Sequence, residues 1–214
     1  RYNWRPHPRW GNDPTFENVW VRRSDWGKDS AFRRELNLAK RGLTGALPDA
    51  ALLGRMRGLE EVQLHGNKLS GAVPWEGLMR CGGLHRVVLQ SVSRAHQTNA
   101  FDPAPLPAGF FAALPHLEDV QIPACGVAGC LVPWDDIGGG CPQLRSLVLH
   151  SGSRSDTNAF DPAPLPAGFG AALPKLAVLQ APRCAVTGPV PARCGALDAL
   201  ETCAPQANRR SAPP

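Results

Sequence analysis

No run of this chain approaches the ~20 consecutive apolar residues of a membrane-spanning helix, so no segment is expected to cross a bilayer as one. No N-x-S/T sequon occurs, which removes the usual glycan acceptor of a secreted module. Seven cysteines are an odd number, so they cannot all pair within one molecule. Tyrosine occurs once and methionine twice. Charged residues are only 19% of the chain and hydrophobic ones 43%, a balance that excludes a charge-swollen disordered polymer. There is no G-x-S-x-G, P-loop, H-E-x-x-H or glycine-rich dinucleotide turn, so no familiar catalytic or cofactor signature is offered.

What the chain does hold is turn formers, tryptophan and repetition. The 22 Gly and 22 Pro imply frequent turns without a collagen period. Of six tryptophans, Trp4, Trp10, Trp20 and Trp26 crowd into the start and set an N-terminal segment apart. Net charge is +5, but Lys and Arg are scattered and no basic run alternates with aromatics, so nucleic acid is not an expected partner. The start at Arg1, without an initiator Met, reads as a processed or truncated start. With the odd cysteine count and the missing sequons, an intracellular or organellar location is expected over secretion.

The stretch TNAFDPAPLPAGF occupies residues 98–110 and returns unchanged at 157–169. Around it runs a second period. LEEVQLHGNKLSGAVP begins at Leu59, with Leu59, Val62, Leu64 and Leu69 apolar and Asn67 between the last two. ELNLAKRGLTGALP (35–48) is a degenerate version upstream, while LHRVVLQ (84–90), LEDVQIPACGV (117–127), LRSLVLH (144–150), LAVLQAPRCAV (176–186) and LDALETC (197–203) continue it. Successive starts lie 25, 33, 27, 32 and 21 residues apart. The two long intervals carry extra hydrophilic pieces, Ser91–Gln97 and Ser151–Asp156, after which Asn99-x-Phe101 and Asn158-x-Phe160 resume the pattern. The copied unit is therefore two coils, and most of the identical stretch is scaffold: Leu106, Phe110, Leu114, Leu165, Phe169 and Leu173 are expected to point inward.

These runs match L-x-x-L-x-L-x-x-N/C-x-L, and the chain resembles the leucine-rich repeat proteins, with LSGAVP similar to their plant-type class. Cys81, Cys141 and Cys194, each three residues before a coil-starting Leu, resemble the cysteine-containing subclass, in which the thiol is a small buried hydrophobe. The resemblance implies an α/β solenoid of about seven coils, with short parallel strands on the concave face and an irregular or short-helical convex side. It divides the chain into a Trp-rich arm and cap (1–31), the solenoid (32–203) and a C-terminal tail (204–214). Residues 13–48 resemble a plant-type N-terminal cap without its cysteines, and Trp20 and Trp26 are expected over the first coil. Cys130 and Cys203 fall outside the periodic columns and are expected to be exposed or paired.

Strand parity then places side chains on the concave face. One column reads Glu35, Glu61, Arg86, Asp119 and Ser146; the next Asn37, Gln63, Val88, Gln121, Val148 and Gln180; the third His65, Gln90, Pro123, His150 and Pro182. The two inserts add Arg94, His96, Arg154 and Asp156 at the rim, as contacts for a partner or as passive loops. Trp4 and Trp10 of the arm are candidates for docking on a neighbour. His65 and His150 are read as solvated histidines, since no nucleophile stands beside them, and Asp135-Asp136 as adjacent loop carboxylates. No metal site or cofactor is expected. The resemblance implies a non-catalytic protein-interaction module. Its first reading is an accessory or scaffolding subunit docked in a large multisubunit complex. The alternative is a recognition ectodomain that binds a peptide reversibly, and an unrecognised enzyme is the third reading.

Overall fold

The computed structural model describes residues 34–47, 49–54, 56–90, 99–149, 158–166, 168–181, 184–187 and 202–203. Fourteen strands, β1 to β14 in chain order, and four short helices, α1 to α4, appear among them. One strand per coil joins the main sheet, and other short strands lie on the flank. β1 (Glu35–Asn37), β3 (Glu61–Gln63), β5 (Arg86–Val88), β7 (Asp119–Gln121), β9 (Ser146–Val148), β12 (Val178–Gln180) and β14 (Thr202–Cys203) form one sheet in that order. Every neighbouring pair is parallel, and the middle residue of each strand aligns with the next, Leu36 to Val62, Val87, Val120, Leu147 and Leu179. The chain is a leucine-rich repeat solenoid.

Each three-residue strand of the main sheet buries its central side chain in the core and sends its flanking side chains to the opposite, concave face, as the two-residue period requires. Val62, Val87, Val120 and Leu147 are buried, and so is the column Leu64, Leu89, Ile122 and Leu149. All belong to one continuous core, because a single coil cannot cover its own apolar side and each neighbour supplies the cover.

A second ladder, which the pattern did not announce, runs along the flank. β2 (Thr44–Ala46), β4 (Lys68–Gly71) and β6 (Ala100–Phe101) pair in parallel. An isolated bridge from Ala104 to Val127 carries the ladder on to β8 (Ala128–Leu131) with β10 (Ala159–Asp161), and then β11 (Ala163–Pro164) with β13 (Val186–Thr187).

Between the two ladders stands a row of buried asparagines. Asn67 accepts the N–H groups of Arg41 and Leu43 at 3.0 and 3.1 Å and donates to the carbonyls of Leu38 and Leu64 at 2.9 and 2.7 Å. Asn158 repeats this three coils on, accepting from Cys125 and Val127 and donating to Ile122 and Leu149. Asn99 does the same with Leu69, Leu64 and Leu89. Each amide satisfies backbone groups that the bend would otherwise bury unpaired. Leu89 and Asn99 are separated by seven residues more than Leu64 and Asn67, yet Asn99 fills the same slot. Cys125 and Cys184 occupy that slot in the coils that start at Leu117 and Leu176 and are buried.

The convex side holds α1 (Ala50–Leu53), α2 (Trp75–Met79), α3 (Trp134–Gly140) and α4 (Phe169–Ala172). Pro74 and Pro133 precede Trp75 and Trp134 with matching backbone angles, φ −79° in both, which is the conformation the ring already favours. Trp75 meets Phe110 of the next coil edge-on at 5.4 Å, and Trp134 meets Phe169 likewise at 5.1 Å. Asp136 is no catalytic candidate: its carboxylate accepts the backbone N–H groups of Phe111 and Ala112, each at 3.0 Å, and so ties one two-coil unit to the next. Phe110, Leu114, Phe169 and Leu173 point inward as expected, with Leu106 at the core margin and Leu165 half-buried against it.

Candidate functional site

The concave sheet is built by register alone. Glu35, Glu61, Arg86, Asp119, Ser146, Val178 and Thr202 are Cα partners along one row, so neighbours stand one strand spacing apart, ~4.8 Å. Arg86 lies between two carboxylates, its guanidinium 3.5 Å from Glu61 Oε1 and 3.2 Å from Asp119 Oδ2. On the two outer strands a glutamine follows the acid at i+2, on the same face. Gln63 Nε2 donates to Glu61 Oε1, and Gln121 Nε2 lies 3.2 Å from both oxygens of Asp119. Five side chains on β3, β5 and β7 thus make one network, with Glu61 and Asp119 only 18% and 20% exposed and Arg86 42%. Such a network fixes rotamers before any partner arrives. Gln180 continues the glutamine row on β12, half-buried.

Several expected surface residues are turned elsewhere. Gln90 is buried, with Nε2 donating to the carbonyl of Asn99 at 3.3 Å; it closes the coil at the point where the insert departs and presents nothing to a partner. Val88 and Val148 are buried between the glutamines of adjacent strands, and Pro123 is buried beyond the end of β7. His65 is half-buried. Arg94, His96, His150, Arg154, Asp156, Pro182, Trp4 and Trp10 lie outside the described residues, as do Trp20, Trp26, Cys194 and the tail.

The thiols Cys81, Cys125, Cys141 and Cys184 are free and buried, and Cys130 is free and half-buried against the core, where exposure or pairing was expected. Burial pushes the Cys81 thiol up to about 11 and that of Cys184 to about 12. Burial raises Cys141 to about 12 as well, with a smaller push from the negative charge of Asp136. Burial raises Cys125 too. Thiols held protonated in this way are inert packing groups rather than nucleophiles. Among the described residues no group of three or more His, Cys, Asp or Glu is placed to hold a metal ion, and no helix is long and apolar enough to cross a membrane.

Comparison with known proteins places this geometry. No family model matches the chain. Over 59 residues it is 49% identical to Receptor protein kinase WSS1 of Oryza sativa subsp. japonica, a match covering 28% of this chain and 6% of that protein. Its backbone is similar to the Arabidopsis receptor kinase HAESA, solved in complex with the peptide hormone IDA and the co-receptor SERK1. That likeness has a TM-score of 0.57 at 22% identity, over 78% of this chain and 25% of that one. The structure of PEPR1–AtPEP1 is similar with a TM-score of 0.54 at 19% identity, over 83% of this chain and 25% of the other. The fold is therefore that of leucine-rich repeat ectodomains of plant receptor kinases. The chain spans about a quarter of those solved chains and a far smaller part of the rice kinase.

Proposed function

We propose that this chain is a non-catalytic recognition module whose concave sheet binds an extended peptide or protein segment. One observation carries the reading: a pre-organised polar network, Gln63–Glu61–Arg86–Asp119–Gln121, stands on the inward sheet face. Surface ion pairs of this kind add little stability, so their fixed geometry is better explained by what they meet. The HAESA complex, in which a peptide hormone is bound by a receptor of the same fold, supports the reversible-recognition reading above the accessory-subunit one. Gln180, His150 of the concave column and the insert residues Arg94, His96, Arg154 and Asp156 are proposed as further contacts, and Trp4 and Trp10 as an arm toward a neighbouring protein.

The test is selection of a displayed random nonapeptide library on the immobilised chain, followed by titration of the selected peptides. Gln121→Trp, which fills the middle of the face with a ring, is expected to abolish binding while leaving the circular dichroism spectrum unchanged. Equal binding to that variant would move the site off the concave sheet. Co-migration of the native protein with a large stable complex on size fractionation would restore the accessory-subunit reading.

A further inference from the structure

The concave face is not uniform along the solenoid. In the row that begins with Glu35, every charge belongs to the first four strands: Glu35, Glu61, Arg86 and Asp119. Ser146, Val178 and Thr202 follow, and none is charged. Three carboxylates face one guanidinium there, and that guanidinium is already held by two of them. Glu35 is exposed, and no ion pair among the described residues involves it. The N-terminal half of the face is thus net acidic on a chain whose net charge is +5.

The internal duplication shows that this charge is not demanded by the fold. Glu61, Asp119 and Val178 occupy the same place in successive copies, and so do Arg86 and Ser146. Gln63, Gln121 and Gln180 repeat without change, as do Val88 and Val148. Ser146 and Val178 pair in the same register as Arg86 and Asp119 do one two-coil period earlier. The earlier coils carry charge in this row and the later ones do not, on one backbone.

Resting on the recognition reading above, we infer that the occupant is a cationic peptide laid across the sheet, with an ammonium or guanidinium group over β1 to β7 and short uncharged side chains over β9 and β12. Charge complementarity selects the sign. A carboxylate brought to Arg86 would stand one strand spacing from both Glu61 and Asp119, whereas a cation is opposed by Arg86 alone and attracted by the three carboxylates of the row, Glu35 lying two strands from Arg86. Length follows from the sheet: six strands at ~4.8 Å span ~24 Å from first to last, which an extended chain covers in about eight residues. The acidic face on a basic molecule also steers the cationic end to one end of the solenoid and so fixes the direction of the bound chain.

The experiment uses the nonapeptide selection on the full chain, run in parallel on the double variant Glu61→Gln/Asp119→Asn. Peptides selected on the parent are expected to carry Lys or Arg concentrated at one end. Their affinity is expected to fall at least tenfold in the double variant and at least threefold in Glu35→Gln, which leaves the network untouched and serves if the double variant fails to fold. Affinity should also fall between 50 and 500 mM salt. Peptides that lose binding in Gln121→Trp yet are neutral or acidic, or that bind the Glu35→Gln and double variants unchanged, would overturn the charge rule and leave the concave site standing. Selection of no peptide at all would overturn the recognition reading and this inference with it.

Discussion

Trp134 stands edge-on to Phe169, ring centroids 5.1 Å apart and planes at 81°, and the same contact joins Trp75 to Phe110. In each case the tryptophan opens a helix of one coil and the phenylalanine belongs to the next. The repeated unit is therefore latched internally on its convex side. Trp134→Ala is expected to cost about 3–5 kcal/mol, since a buried aromatic leaves a cavity as well as lost transfer energy. Trp134→Phe should cost less than half of that. It keeps an aromatic ring and removes an indole N–H that is buried without a hydrogen-bond partner among the described residues. Urea unfolding followed by circular dichroism measures both, and equal losses in the two variants would show that the ring edge is not the contact that matters.

The asparagine row gives a sharper expectation. Asn158 makes four bonds to backbone groups of two coils, all buried. Asn158→Leu fills a similar volume but orphans two N–H groups and two carbonyls at once, at about 1–3 kcal/mol for each buried group left unpaired. Losses in a solenoid are local. Amide exchange is thus expected to accelerate most at Cys125 and Val127, the two donors to Asn158, ahead of residues in β3.

How much of this was legible in the sequence depends on which force set each feature. The columns through Val62 and Leu64 were readable because burial imposes a strict period, and the asparagine slot because one residue type solves one backbone problem. The register that sets Arg86 between Glu61 and Asp119 followed from aligning those columns. The flank ladder was not readable. Lys68–Gly71 and Ala128–Leu131 are glycine-containing segments with no strand preference of their own, and they pair because the neighbouring coil presents a parallel backbone. Gln90 was misplaced for a related reason: parity holds inside a strand, and Gln90 lies beyond the end of β5, where the amide turns in to meet Asn99. The role of Asp136 had no signal in the sequence at all, since its partners are backbone N–H groups 25 and 24 residues away.

Two glycines separate backbone strain from steric clash. Gly42 and Gly126 share a left-handed φ, +68° and +69°, but a Cβ on Gly42 would meet nothing within 4 Å among the described residues. On Gly126 it would meet the carbonyl oxygens of Asp102 and Phe101 at 2.6 and 2.8 Å. Gly42→Ala is expected to cost about 1–2 kcal/mol from conformation alone, and Gly126→Ala clearly more, because backbone of an adjacent coil must move. Ala185, at φ 51°, is the converse case, and Ala185→Gly should raise the unfolding midpoint. Equal costs for the two glycine variants would show that the coils can part at no cost at this point.

The buried thiols predict alkaline sensitivity with a definite sign. Folded Cys81 holds its proton to about 11 and Cys141 to about 12, above the ordinary value of 9.0 that the unfolded chain regains. Below pH 9 both states bind the proton and stability is unaffected. Above it the unfolded chain releases protons that the folded one keeps, so stability falls as pH rises, by roughly 1.4 kcal/mol per pH unit for each fully buried thiol. The loss ends near pH 11 for Cys81 and near pH 12 for Cys141. Cys81→Ala should lower stability at pH 7 and flatten the decline between pH 9 and 11, as read from urea midpoints across that range. Iodoacetamide at pH 8 should modify Cys130 before Cys81, Cys125, Cys141 or Cys184, in the order that mass spectrometry of timed digests records. Early labelling of Cys141 would mean that its surroundings open without global unfolding, and its share of the alkaline decline would then end below pH 12.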